Sequence, residues 1–143
     1  MGTSTAFRPD IIVTGDDGFR LVVEAKLRLP DLDESEQQLK QYMRRMHCPT
    51  GLLVTPKHMW VYRDFYTTES PESIERIGDF DMTGVWQQTP PADAASFEDF
   101  VQQWLERNAQ QLPPNLPSGI GQVLREDILA AVAGGQIRAA HPR

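Results

Sequence analysis

Asp10, Glu24 and Lys26 are side chains whose types and spacing could do chemistry together. Between them lie two apolar runs, Ile11-Ile12-Val13 and Phe19 to Val23, separated by Gly15-Asp16-Asp17-Gly18, a composition that reads as strand, tight turn, strand. The spacing predicts a hairpin with the loop Asp16-Asp17-Gly18, in which Gly18 takes the positive-φ position and Gly15 pairs with Phe19. Asp10 then falls opposite Glu24. Opposed residues share a sheet face with α-carbons about 4.5–5.5 Å apart, and Lys26 lies on that face roughly 6.6 Å further along the strand. Two carboxylates and an ammonium therefore converge. Carboxylates this close raise each other's pKa unless a cation stands between them, and a hydrated divalent ion does so while activating water. The bland alternative for the same residues is a strand-edge salt bridge from Lys26 to Asp10 or Glu24.

These side chains need a scaffold. Ile11, Val13, Leu21, Val23 and Ala25 alternate onto the other face of the hairpin, an apolar surface that must be covered by a second layer. After a connector containing Pro30, Asp33-x-x-Glu36 is a capping-box pattern for a helix from about Glu34 to His47. Leu39, Tyr42, Met43 and Met46 follow helical spacing and should face the sheet. Gln38 sits at the edge of that stripe, where it either reaches the charged end of the sheet or points to solvent.

At these residues the chain resembles a known family. Pro9-Asp10, followed after a hairpin by Glu24-Ala25-Lys26, resembles the PD-(D/E)XK nuclease superfamily. Gln38-x-x-x-Tyr42 on the next helix is similar to the downstream motif of its type I restriction-subunit and RecB-like branches. The combination in this order carries the resemblance, which covers roughly residues 8 to 65. It implies an α/β fold, a restriction-endonuclease-like mixed β-sheet flanked by helices. It also implies metal-dependent hydrolysis of nucleic-acid phosphodiesters, with DNA the expected polymer. Asp10 and Glu24, with the backbone carbonyl of Ala25, would hold Mg²⁺, with Mn²⁺ as a substitute. Lys26 would position or polarise the attacking water and offset transition-state charge, and Gln38 would orient the site or touch the phosphate. The superfamily usually has a helix before the first motif strand, often bearing a further acidic active-site residue, and here only MGTSTAF precedes Arg8. Residues 1–112 are accordingly expected to be a nuclease-like core lacking most of that helix, and 113–143 a proline-rich linker, C-terminal helix and tail. The sheet left uncovered would favour a homodimer. The alternative is a catalytically degenerate module of the same fold, binding nucleic acid or a protein partner in a restriction, repair or mobile-element system.

Composition narrows the classes without choosing among them. The 143 residues, 40% apolar and 24% charged, suit one globular domain with a real core. Neither a membrane-spanning run nor a secretory leader is visible, so a cytoplasmic location and no membrane partner are expected. The net charge of −6 argues against a generic nucleic-acid binder, yet residues 1–68 hold nine Lys+Arg against nine Asp+Glu. The acidic excess lies wholly in the second part of the chain. Cys48, the single cysteine, reads as a small buried side chain, and His58 as a loop-end histidine with no metal role.

Further on, Gly51 to Pro56 reads as a central strand returning beside the hairpin, and His58 to Phe65 as a strand joined to it through Pro56-Lys57. Ile74 to Phe80 reads as an edge strand, for a sheet of four or five strands. After a loop with Pro90-Pro91, Ser96-x-x-Asp99 opens an amphipathic helix whose Phe97, Phe100, Val101, Trp104 and Leu105 form a core stripe. A proline-rich linker from Gln111 to Pro117, a last helix of about Ile120 to Ala133 and a mobile tail after Gly135 complete the expected layout.

Overall fold

The computed structural model describes residues 7–110, 116 and 118–141. In chain order the elements are β1 (Ile11–Gly15), β2 (Gly18–Ala25), α1 (Leu32–Arg45), β3 (Thr50–Val54), β4 (His58–Asp64), β5 (Ile74–Asp81), α2 (Ala94–Gln110), α3 (Ser118–Val123), α4 (Leu129–Val132) and β6 (Gln136–Ala139). A π-helical turn at Leu124–Ile128 joins α3 to α4, and a 3₁₀ turn at Pro71–Ser73 precedes β5. The strands form one mixed sheet in the order β5-β4-β3-β2-β1-β6, so the fold is α/β with the sheet flanked by helices. Parallel pairing of β2 with β3 requires a crossover, which α1 supplies, and the other strand pairs are antiparallel.

The hairpin forms with the expected register but not the expected loop. Ile11 pairs with Val23 and Val13 with Leu21, while nearer the turn Thr14 pairs with Phe19 and Gly15 with Gly18. The loop is thus Asp16-Asp17, with Gly18 at φ +109° and Arg20 displaced from the ladder. The displaced Arg20 donates to the Ala133 carbonyl at 2.7 Å and to Asp17 at 3.3 Å. A shorter loop plus a one-residue bulge shifts the pairing by as much as the longer loop would, so the far end of the hairpin is unchanged.

Both faces of the sheet carry core. Ile11, Val13, Leu21, Val23 and Ala25 join Leu52, Val54, Met59 and Val61 under Phe97, Val101, Trp104 and Leu105 of α2, with Ile120, Leu124, Ile128 and Val132 completing the layer. The opposite face, expected to carry the charges, is apolar along most of its length: Val22, Leu53, Tyr62 and Ile74 pack under Leu39 and Met43 of α1, beside buried Cys48. Asp10, Glu24 and Lys26 lie toward one end of that face, while Asp64 and Arg76 elsewhere on it pair with Arg44 and Glu36 of α1. Helix α2 and the segment from α3 to α4 thus supply the second layer that the Ile11, Val13, Leu21 and Val23 face requires.

Several boundaries move for local reasons. Asp31, not Asp33, caps α1, accepting the Glu34 N–H at 3.1 Å, because Asp31-x-x-Glu34 offers the same capping pair one half-turn earlier. Glu36 is then free to accept the Tyr62 hydroxyl at 2.6 Å and Arg76 at 2.7 Å, tying α1 to β4 and β5. Helix α2 likewise starts before Ser96, with Asp93 accepting the Ser96 N–H at 3.0 Å. The tail after Gly135 is a sixth strand, so the sheet exceeds the expected four or five. Gly134, at φ +71°, ends the helical segment, and a Cβ on Gly135 would come within 2.9 Å of Val13 Cγ1, so the chain turns tightly onto the edge of β1. Apart from Leu116, the proline-rich stretch lies outside the described residues.

Candidate functional site

Asp10 lies one residue beyond the last ladder pair of β1, where backbone bonds hold it from both sides. Its N–H donates to Val23 at 2.9 Å and its carbonyl accepts from Ala140 at 3.0 Å. The side chain is fully buried. Oδ2 accepts the Ala25 N–H at 2.8 Å, and Oδ1 meets both the Lys26 ammonium at 3.2 Å and Nε2 of His141 at 3.1 Å. A carboxylate accepts about four hydrogen bonds, so the carboxylate is well satisfied by these three.

Glu24, 8% exposed, stands beside this pair. Burial pushes its carboxyl up to about 7, with the Lys26 charge pulling down and the Asp10 charge pushing up further. Lys26 is 40% exposed, so its ammonium sits where the buried carboxylates meet solvent. Asp10, Glu24 and Lys26 are neighbours, and Ala25 meets Asp10 through its N–H. Gln38 is not drawn in. It is half-buried on α1 and donates to Glu34 of the same helix at 3.5 Å, and among the described residues no hydrogen bond joins it to the Asp10 group. Tyr42, one turn on, packs against Phe7 with ring centroids 5.3 Å apart and lies under the Arg45 guanidinium.

Two residues join Asp10 that sequence reasoning did not single out. His141 follows β6, and Glu98 lies near the start of α2, 4.0 Å from the same imidazole nitrogen. Neither carries a local signal: His141 stands alone in what reads as a tail, and Glu98 reads as one more acid at a helix start. The pairing of β6 with β1 and the packing of α2 bring them in. Beside them opens a cavity of about 310 Å³ lined by Phe7, Arg8, Pro9, Ile12, Tyr42, Ala140 and His141. It shares His141 with the Asp10 group and has Phe7, Tyr42 and Arg8 in its lining.

Asp10 and Glu24 carry hard oxygen donors of the kind divalent cations take, and a dication beside them would relieve the cost of keeping both ionised in a buried place. No protein-family model, curated protein or solved structure matches the chain.

Proposed function

We propose that this chain is a metal-dependent nuclease of the PD-(D/E)XK type that hydrolyses phosphodiester bonds of nucleic acid, with DNA the expected polymer. The observation that carries the reading is the buried Asp10 bonded to Lys26, with Glu24, also buried, beside them. Asp10 and Glu24 would hold Mg²⁺ or Mn²⁺, which supplies a water of lowered pKa and offsets phosphate charge. Asp10 is pre-aimed for that task by the Ala25 N–H. Lys26 brings a positive charge to the solvent-facing side, where it would orient a water or hold a non-bridging phosphate oxygen. The cavity beside the carboxylates, with Arg8 at its lining, would take the sugar-phosphate chain leading to the reacting group.

A second reading has its own support. Asp10 already has Lys26 and His141 as counter-groups, which is how a site that has given up catalysis and only binds nucleic acid or a protein partner would rest. Cleavage assays on duplex, single-stranded and branched DNA and on RNA, with Mg²⁺, Mn²⁺, Ca²⁺ or EDTA, separate the two. The nuclease reading expects cutting with Mg²⁺ or Mn²⁺, none with EDTA, and none with Ca²⁺, whose looser coordination places water poorly. Asp10→Ala and Glu24→Ala are expected to abolish cutting. Lys26→Ala should keep the metal and lose about 10²-fold or more in rate. No cutting of any of these substrates under any of these conditions would sink the nuclease and leave the binding module.

A further inference from the structure

Asp10 is shared by two groups of side chains. One comes from β2, namely Glu24 and Lys26. The other comes from elements far along the chain. One carboxylate oxygen each of Asp10 and Glu98 and one nitrogen of His141 lie within 4.8 Å of one another. His141 Nε2 is 3.1 Å from Asp10 Oδ1 and 4.0 Å from Glu98 Oε1. Donor atoms that each stand about 2.1 Å from one metal ion are about 3–4 Å apart, so this trio has nearly the spacing of a coordination sphere.

We propose that Asp10, Glu98 and His141 form a seat for a divalent transition-metal ion, Mn²⁺ or Zn²⁺, whose donor set differs from the Asp10–Glu24 pair. An imidazole nitrogen with two carboxylates suits these ions, whereas Mg²⁺ keeps to oxygen donors. The donors are held in advance. Asp10 is fixed by the Ala25 N–H through its other oxygen, the kind of outer bond that orients a metal-binding carboxylate. Glu98 is flanked on α2 by the core residue Phe97, and His141 is anchored by the Ala140 N–H on the Asp10 carbonyl.

Charge points the same way. Asp10, Glu24 and Glu98 are all buried, and Asp10 is paired with Lys26. Imidazole balances a carboxylate only when protonated, while a dication balances two with His141 neutral. The ion would tie together the start of β1, the start of α2 and the segment after β6.

This seat does not depend on the protein cutting nucleic acid. The test uses the full chain stripped with EDTA and titrated with Mn²⁺ and with Zn²⁺ by calorimetry. Pulsed electron paramagnetic resonance on the Mn²⁺ form reads any directly bound nitrogen. The expected result is binding with a ¹⁴N coupling that His141→Ala removes, with affinity falling about 10–100-fold in His141→Ala and in Glu98→Gln. Glu24→Gln should keep the ¹⁴N coupling. Unchanged circular dichroism and melting of the variants in EDTA show that they fold. Should Glu98→Gln fail to fold, His141→Ala alone decides, because the partly exposed imidazole can be removed without opening the core. No binding of either ion, Mn²⁺ bound without a ¹⁴N coupling, or a coupling that survives His141→Ala would overturn the seat. A protein that binds Mn²⁺ through His141 yet cuts nothing would uphold the seat and end the nuclease reading, and cutting with Mg²⁺ without nitrogen ligation would do the reverse.

Discussion

At Glu24 the balance of burial and charge can be read out by pH. Its carboxyl is pushed up to about 7 in the fold from an ordinary value near 4.5. Below 4.5 the group is protonated in both states and costs nothing. As pH rises toward 7 the unfolded chain releases the proton while the folded one keeps it, so stability falls through this window and stays lower above it. The full effect is about 3 kcal/mol at 1.36 kcal/mol per unit. Glu24→Gln is expected to melt higher than wild type at pH 8 without divalent ions, and to match it closely near pH 4.5. Melting curves across that range check it, and equal pH slopes for the two proteins would refute the assignment. Asp64 has the opposite sign. Burial raises its carboxyl, but hydrogen bonds from Ser73 and Arg44 outweigh this and hold it low, so its contribution is lost only as pH falls below the ordinary carboxylate range. The sequence made Asp10, Glu24 and Lys26 legible because one hairpin register decides all of them. Glu98 and His141 were not legible, since their place depends on contacts between distant parts of the chain.

At the scale of elements, caps and turns can be tested singly. Asp31→Ala should cost about 1 kcal/mol by removing the α1 cap, and Asp33→Ala much less, a reversal of what the sequence spacing alone suggests. Gly18→Ala forces a side chain into a positive-φ turn and should cost about 1–3 kcal/mol by urea denaturation. Asp64→Ala is expected to be the most damaging of these, about 3–5 kcal/mol. Its carboxylate accepts from Arg44 at 2.8 Å and Ser73 at 2.6 Å, and its loss leaves the arginine without its partner. Strands β3 to β5 and the two long helices were readable because apolar period and turn residues agree over many residues, as in Gly51 to Val54 and Phe97 to Leu105. Strand β6 was not, because a lone Ile137 between Gln136 and Arg138 is too short a pattern to distinguish from a polar tail.

The whole molecule depends on that short strand. It covers the edge of β1, which otherwise would present unpaired backbone groups next to buried apolar residues. Truncation after Gly135 should therefore lower the melting temperature and speed amide exchange in β1 more than in β3 or β4. Exchange that is unchanged in β1 would mean that β6 adds nothing to the sheet. The same closure has a consequence in time. Asp10 and His141 are 131 residues apart. During synthesis Asp10, β1 and β2 leave the ribosome and can pair long before His141 has been added to the chain. Joining such distant residues is entropically slow compared with forming the hairpin. A growing chain therefore carries Asp10 without its imidazole partner until the residues of β6 and His141 have been made.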